Sequence, residues 1–399
     1  MNTEQLRTIW PEWNVVEQIG KGSFGEVYKV MREGHGFTDY AAVKVITIPQ
    51  NASELNSLRA DGHDEISARS YFEGIVTDFV NEIKLMVSMK GAANIVSVED
   101  YKVVEKTGEI GWDIYIRMEL LTSFIDYSTG KKLSQDEVIK LGQDICSALE
   151  LCSRSKIIHG DIKPENIFVS SLGEFKLGDI GISRVLEKNI PTAMKGVFNY
   201  RAPEVVKGEA YDATIDVYSL GLVLYKLLNN NRLPFIAPHT EQIMYQDRKD
   251  AVYRRLNGEQ LPAPIDANPE LGHVIMKACM YNPSLRFRSA TEFKQALELI
   301  KNGKYEILPF TDVEFYNPKI VCITCGDLFK PGVTFCSVCG THFNKNKEVH
   351  GQYVKCVGKA GQQCPNCNGK HIGNIKYGLR YRSVLFPIEV FINLFKRLI

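Results

Sequence analysis

A lysine set inside an apolar strand limits what this chain can fold into. Tyr40–Ile46 is β-branched and apolar apart from Lys44, in the run Ala41-Ala42-Val43-Lys44. An ammonium there is costly unless the fold supplies a partner. The plain reading is an edge strand with its lysine in water. The alternative partner is Glu82, on the next helical stretch, where Ile75, Phe79, Ile83 and Met86 recur at helical spacing and predict a helix over 64–90. Upstream, Gly20-Lys21-Gly22-Ser23-Phe24-Gly25 is a G-x-G-x-x-G between two strand-like runs, Val15–Gly20 and Glu26–Val30. Such glycines let backbone N–H groups approach phosphate oxygens. A dinucleotide site would want a helix directly after the glycines, and Glu26-Val27-Tyr28-Lys29-Val30 reads as a strand instead.

Further along comes Ile157-Ile158-His159-Gly160-Asp161-Ile162-Lys163-Pro164-Glu165-Asn166. Thirteen residues after Asn166 stands Asp179-Ile180-Gly181, and then Ala202-Pro203-Glu204. Any one of these could arise by chance; their order and spacing together could not.

On these motifs the chain resembles the eukaryotic-type protein kinase family over residues 13–300. The resemblance implies an α+β, two-lobed fold with a strand-rich N-lobe (about 13–121) and a helical C-lobe (about 122–300). It implies that Gly20, Gly22 and Gly25 cover the ATP phosphates and that Lys44, locked by Glu82, holds two of them. Asp161 is then the catalytic base, Lys163 neutralises charge on the γ-phosphate, and Asn166 and Asp179 hold Mg²⁺. Met118 takes the gatekeeper position, with Glu119, Leu120 and Leu121 facing adenine. Asp216 resembles the aspartate bracing the catalytic loop, and Arg286 the arginine that pairs with Glu204. The loop Asp161–Asn166 resembles the serine/threonine version, so protein hydroxyls are the expected substrates.

Three departures bear on this. Gly160 stands where many members carry an arginine that receives a loop phosphate, so activity is expected not to depend on loop phosphorylation. Ile180 replaces a phenylalanine and can still pack beneath the helix bearing Glu82. Val197 replaces a threonine that hydrogen-bonds the catalytic aspartate and lysine, which bears on substrate positioning and on the serine/threonine assignment. A nucleotide-binding pseudokinase scaffold is the competing reading. It would be expected to lose Lys44, Asp161, Asn166 or Asp179, and all four are present.

The remaining sequence adds a second theme. Of ten cysteines, seven lie between 322 and 367, and paired cysteines in a reducing compartment suggest metal. Cys322-Ile323-Thr324-Cys325-Gly326 and Cys336-Ser337-Val338-Cys339-Gly340 are matching knuckles ten residues apart, suited to one tetrahedral Zn²⁺. They resemble a zinc ribbon. Cys356, Cys364 and Cys367 supply three further thiols, with His371 as fourth ligand and His350 as runner-up. Cys146, Cys152 and Cys279 fall in helical apolar patterns and read as core.

The expected organisation is a leader (1–12), the kinase domain (13–300), a linker (301–320), the zinc-ribbon-like module (321–372) and a basic, apolar terminal segment (373–399). Residues 301–399 carry 14 Lys+Arg against 6 Asp+Glu, a net of +8, although the whole chain is only +1. That near-neutrality excludes a dedicated nucleic-acid coat, and the tail lacks interleaved base-stacking aromatics. A zinc-ribbon nucleic-acid binder regulated by the kinase-like domain is therefore the weaker alternative, and recruitment of a partner protein or substrate through the module the stronger. The polar N-terminus and the lack of a long apolar run predict a cytosolic protein. The terminal segment Ser383–Ile399 is expected to dock on protein; membrane contact is the less favoured reading.

Overall fold

The computed structural model describes residues 3–22, 25–180, 199–239 and 242–305, with the backbone of three short strands further on. A strand-rich first part is followed by a helix-rich second part. The first part holds α1 (Thr3–Ile9), β1 (Asn14–Gly22), β2 (Gly25–Gly34), β3 (Phe37–Ile48), α2 (Ala52–Ala60), α3 (Glu65–Ser88), β4 (Val98–Glu105) and β5 (Trp112–Glu119). Then come β6 (Thr122–Ser123), α4 (Phe124–Ser128), α5 (Gln135–Arg154), β7 (Ile167–Val169) and β8 (Phe175–Leu177). Helices α6 (Pro203–Val206), α7 (Thr214–Leu227), α8 (Tyr245–Leu256), α9 (Pro269–Ala278) and α10 (Ala290–Lys301) follow. The chain packs as two compact units, Met1–Lys131 with Asp144–Gly196, and Lys132–Gln143 with Val197–Ile399.

In the first unit β1 to β5 form an antiparallel sheet of order β1-β2-β3-β5-β4. Alternation along β3 sorts its side chains between two faces. Ala41 and Val43 join a cluster with Leu6, Trp10, Trp13, Tyr28, Val30 and Tyr115, so α1 and the residues after it cover one face. Two arginines bind the tryptophans: Arg117 lies over both Trp10 and Trp13, and Arg32 over Trp13. The Trp10 indole donates to Asp100 at 2.7 Å. Lys44 belongs to the other face of β3. Helix α3 buries Ile75, Phe79, Ile83 and Met86, the periodic set read from the sequence.

One sequence expectation needs correction, and one alternative is excluded. Gln50–Gly62 reads as polar loop, yet residues 52–60 form α2. The Asn51 side chain accepts from the N–H groups of Ser53 and Glu54, a strong N-cap. The helix buries none of its residues, so apolar periodicity could not announce it. The edge-strand reading of Lys44 also fails, because β3 is the central strand: Lys44 sits opposite Val27 of β2 and Ile116 of β5.

The second unit is built on α7, whose residues Thr214–Tyr225 are all buried, the mark of an interior helix. Helices α9 and α10 bury Leu271, Val274 and Ile275, and Phe293 and Leu297. Helix α5 starts at a capping box: Ser134 N donates to Glu137 at 2.9 Å and Glu137 N to Ser134 Oγ at 3.3 Å. Three strands lie beyond, β9 (Lys319–Cys322), β10 (Leu328–Phe329) and β11 (Val354–Val357), paired antiparallel in the order β10-β9-β11. Cys325, Cys336, Cys339, Cys364, Cys367 and His371 lie outside the described residues. Among the described residues no group of side chains is arranged to hold a metal ion, and no helix is long and apolar enough to cross a membrane.

Candidate active site

The glycine motif occupies the ends of two paired strands. Gly20 and Gly22 close β1, Gly25 opens β2, and Gly22 pairs with Gly25. Gly25 has φ +125°, and a Cβ there would sit 2.0 Å from the Val45 carbonyl oxygen. Only glycine fits. At Gly20 an added Cβ would meet Val27 at an ordinary 3.5 Å.

Lys44, 6% exposed, finds its partner in the same unit. Its Nζ donates to Asp179 Oδ1 at 2.6 Å. Glu82 sits half-buried on α3, beside Ile83. Burial pushes the Asp179 carboxyl up, but the charge and hydrogen bond of Lys44, with His159 and Lys163 nearby, hold it below the usual aspartate value. Its backbone is in the left-handed region, φ 54°, an uncommon conformation for a residue other than glycine. Ile180 is buried, so an aliphatic side chain does pack in the phenylalanine position.

The Asp161 loop is held by hydrogen bonds at both ends. Asp161 N donates to His159 Nδ1 at 3.2 Å, and His159 Nε2 lies 2.9 Å from the Gly178 carbonyl oxygen. With Nδ1 accepting, the proton belongs on Nε2 and is donated to that carbonyl. The imidazole is a fully buried brace. Asn166 Nδ2 donates to Asp161 O at 2.8 Å and Oδ2 at 3.1 Å. Lys163 Nζ donates to Asp161 Oδ2 at 2.7 Å. Gly178 N donates to Asn166 O at 2.9 Å, tying this loop to the residue before Asp179. Gly160 has φ +78°, a conformation that suits glycine.

Lys44, Asp161, Lys163, Asn166 and Asp179 thus lie in one unit. Met118, Glu119 and Leu121 end β5 and lead into β6, all half-buried. In the second unit Arg286 makes a bidentate bond to Glu204, at 2.5 and 2.9 Å, with both side chains buried. Asp216 is buried at the start of α7.

One member of the site escaped the sequence reading. Lys176, buried in β8, donates to both carboxylate oxygens of Glu119. The signal was available, for Phe175-Lys176-Leu177 repeats the pattern of Val43-Lys44-Val45: a lysine inside an apolar strand.

A five-stranded sheet carrying a glycine hairpin and a buried lysine, joined to a braced aspartate–lysine–asparagine loop, defines a protein kinase domain. The sequence profile of that domain matches residues 13–298, and the chain belongs to this family. A SNF1-related protein kinase catalytic subunit, KIN12 of Arabidopsis thaliana, is 29% identical over 297 residues, covering 73% of this chain and 52% of the relative. A probable serine/threonine-protein kinase of Streptomyces coelicolor is 29% identical over 315 residues, 75% of this chain and 42% of the relative. Serine/threonine-protein kinase PknB of Mycolicibacterium smegmatis is 36% identical over 196 residues, 47% of this chain and 30% of the relative. The chain therefore spans about half, or less, of the length of these relatives.

Proposed function

We propose that the protein transfers the γ-phosphoryl group of ATP to hydroxyl groups of protein substrates, on serine or threonine. The observation that carries this reading is the cluster in the first unit, where the buried Lys44 and its half-buried partner Asp179 are tied through Gly178 to the Asp161–Asn166 loop. The relatives named as serine/threonine kinases and the form of that loop support the choice of hydroxyl.

Asn166 spends its amide nitrogen on Asp161, which leaves Oδ1 for a cation, and Asp179 is kept ionised by Lys44. Oxygen donors of this kind suit a hard divalent ion. Bound between them, Mg²⁺ would neutralise charge on the β- and γ-phosphates. The chain's own groups do the rest. Lys44 holds phosphate oxygens, and the Asp161 carboxylate orients the substrate hydroxyl and takes its proton. That oxygen bonds to the γ-phosphorus as the bond to the β,γ-bridging oxygen breaks, and Lys163 stabilises the charge spread over the transferring group. Glu82 is the further partner of Lys44 that the family resemblance implies. Transfer of label from γ-³²P-ATP to a generic protein substrate, abolished in Asp161→Asn, is the test. ATP binding without turnover in the wild type would favour the pseudokinase scaffold.

The reading extends to the C-terminal part. Cys322, Cys325, Cys336 and Cys339 form a donor set for one Zn²⁺, and Cys356, Cys364, Cys367 and His371 a set for a second. On this reading the segment is a small metal-stabilised module that recruits a partner or substrate; β9 and β11 within it pair antiparallel, with Cys322 opposite Val354 and Cys356 opposite Ile320.

A further inference from the structure

The pair formed by the buried Lys176 and the half-buried Glu119 links two parts of the site that the sequence treats separately. Lys176 is 8% exposed, and its Nζ lies 2.9 and 3.0 Å from the two carboxylate oxygens of Glu119. Glu119 Oε1 also accepts from Ser97 N at 2.7 Å, while Glu119 N donates to Ser97 O at 3.1 Å. The last residue of β5 is thus fixed through both main chain and side chain. Strand β8 is fixed as firmly. Leu177 N donates to Asn94 O at 2.9 Å, Val96 N to Leu177 O at 3.0 Å, and Gly178 N to Asn166 O at 2.9 Å. Asp179 follows directly.

A charge pair in a low-dielectric setting is stiff, because losing either partner strands the other charge. We propose that Lys176 is a positioning residue for nucleotide recognition, acting through Glu119. The inference rests on the nucleotide-binding reading given above, in which the main chain of 119–121 meets adenine. The Glu119 carboxylate is engaged by Lys176 and Ser97, so the main chain of this segment is what remains to read the base. The strut sets where that main chain lies relative to β8 and hence to Asp179, three residues beyond Lys176. A nucleotide spanning both ends loses affinity when one end is misplaced.

The test is calorimetric binding of adenosine and of Mg·ATP to the full chain, with thermal melts on the same samples. Lys176→Met leaves the half-buried Glu119 carboxylate without its countercharge and can destabilise the protein. The double variant Glu119→Gln/Lys176→Met removes both charges and keeps the amide acceptor for Ser97. It should bind adenosine about tenfold more weakly, and Mg·ATP by the same factor, because the lost contact is at the base. Lys176→Arg, which retains the bidentate tie, should stay within about threefold of wild type. The reference, Lys44→Met, should weaken Mg·ATP and spare adenosine. A folded double variant with wild-type adenosine affinity would overturn the inference, as would one that loses only Mg·ATP. Wild-type protein binding neither ligand would overturn the nucleotide reading itself, and this inference with it.

Discussion

Gly20 and Gly25 look interchangeable in the sequence and are not. An alanine at 25 meets the Val45 carbonyl at 2.0 Å in a backbone conformation that L-residues avoid, while an alanine at 20 makes only van der Waals contact. Gly25→Ala should cost at least about 2 kcal/mol, through displaced backbone and overpacking, and Gly20→Ala well under that; urea melts of the two variants make the comparison. Equal effects would show that hairpin flexibility, not space, selects the glycines. Asp179 supplies a second expectation. Its value is depressed, so its ion pair with Lys44 adds stability above the unfolded aspartate value, near 3.9, and that stability is lost as pH falls through the folded value. In Lys44→Met the burial of Asp179 acts without the main opposing charge. Its carboxyl should then titrate above the ordinary aspartate range, followed by NMR of the side-chain carbon, whereas wild type stays below it. The candidate site residues could be named from the sequence because a charge in an apolar strand and a fixed Asp-to-Asn spacing are visible without a fold. The ion pair between Lys44 and Asp179 was not legible, since the two lie 135 positions apart in the chain.

At the scale of elements, legibility follows burial. Helices α3 and α5 declared themselves because Phe79, Ile83, Val138, Leu141 and Ile145 repeat on one face and are buried on it. Helix α2 did not, because it has no buried face and is started by its cap. Residues 3–13 are the instructive case. Residues 1–12 read as a polar leader, yet Leu6 and Trp10 join Trp13 in the core on one face of the sheet, with Arg117 stacked on both tryptophans. Too short for periodicity to register, the segment depends on arginines far along the chain. Arg117 immediately precedes Met118, so this cover supports the strand that ends in the proposed adenine-facing segment. Trp13, 1% exposed, should cost about 3–5 kcal/mol when changed to alanine, read as a lower melting temperature. A change under about 1 kcal/mol would mean that the cover is ornamental to the sheet.

Across the whole molecule, two kinds of stabilisation divide the chain. The family-matching region has apolar interiors large enough to fold on hydrophobic burial, and its three cysteines outside the metal sets are packing groups: Cys146, Cys152 and Cys279 are buried, and burial pushes the Cys279 thiol up to about 12, which leaves it inert. The cysteine-rich region is proposed to differ: its cysteines follow a metal-binding spacing, and on that proposal metal supplies folding energy there. Purified protein should therefore carry about two Zn²⁺ per chain, four ligands to each. Chelation should expose residues 319–371 to limited proteolysis while the region matching the kinase domain keeps its melting temperature. Since neither set leaves an open coordination position, chelated protein should still bind Mg·ATP. One zinc per chain, retained in Cys364→Ser, would remove the second set and spare the first. No zinc in protein purified without chelators would remove both, and would require the paired cysteines to be explained by packing alone.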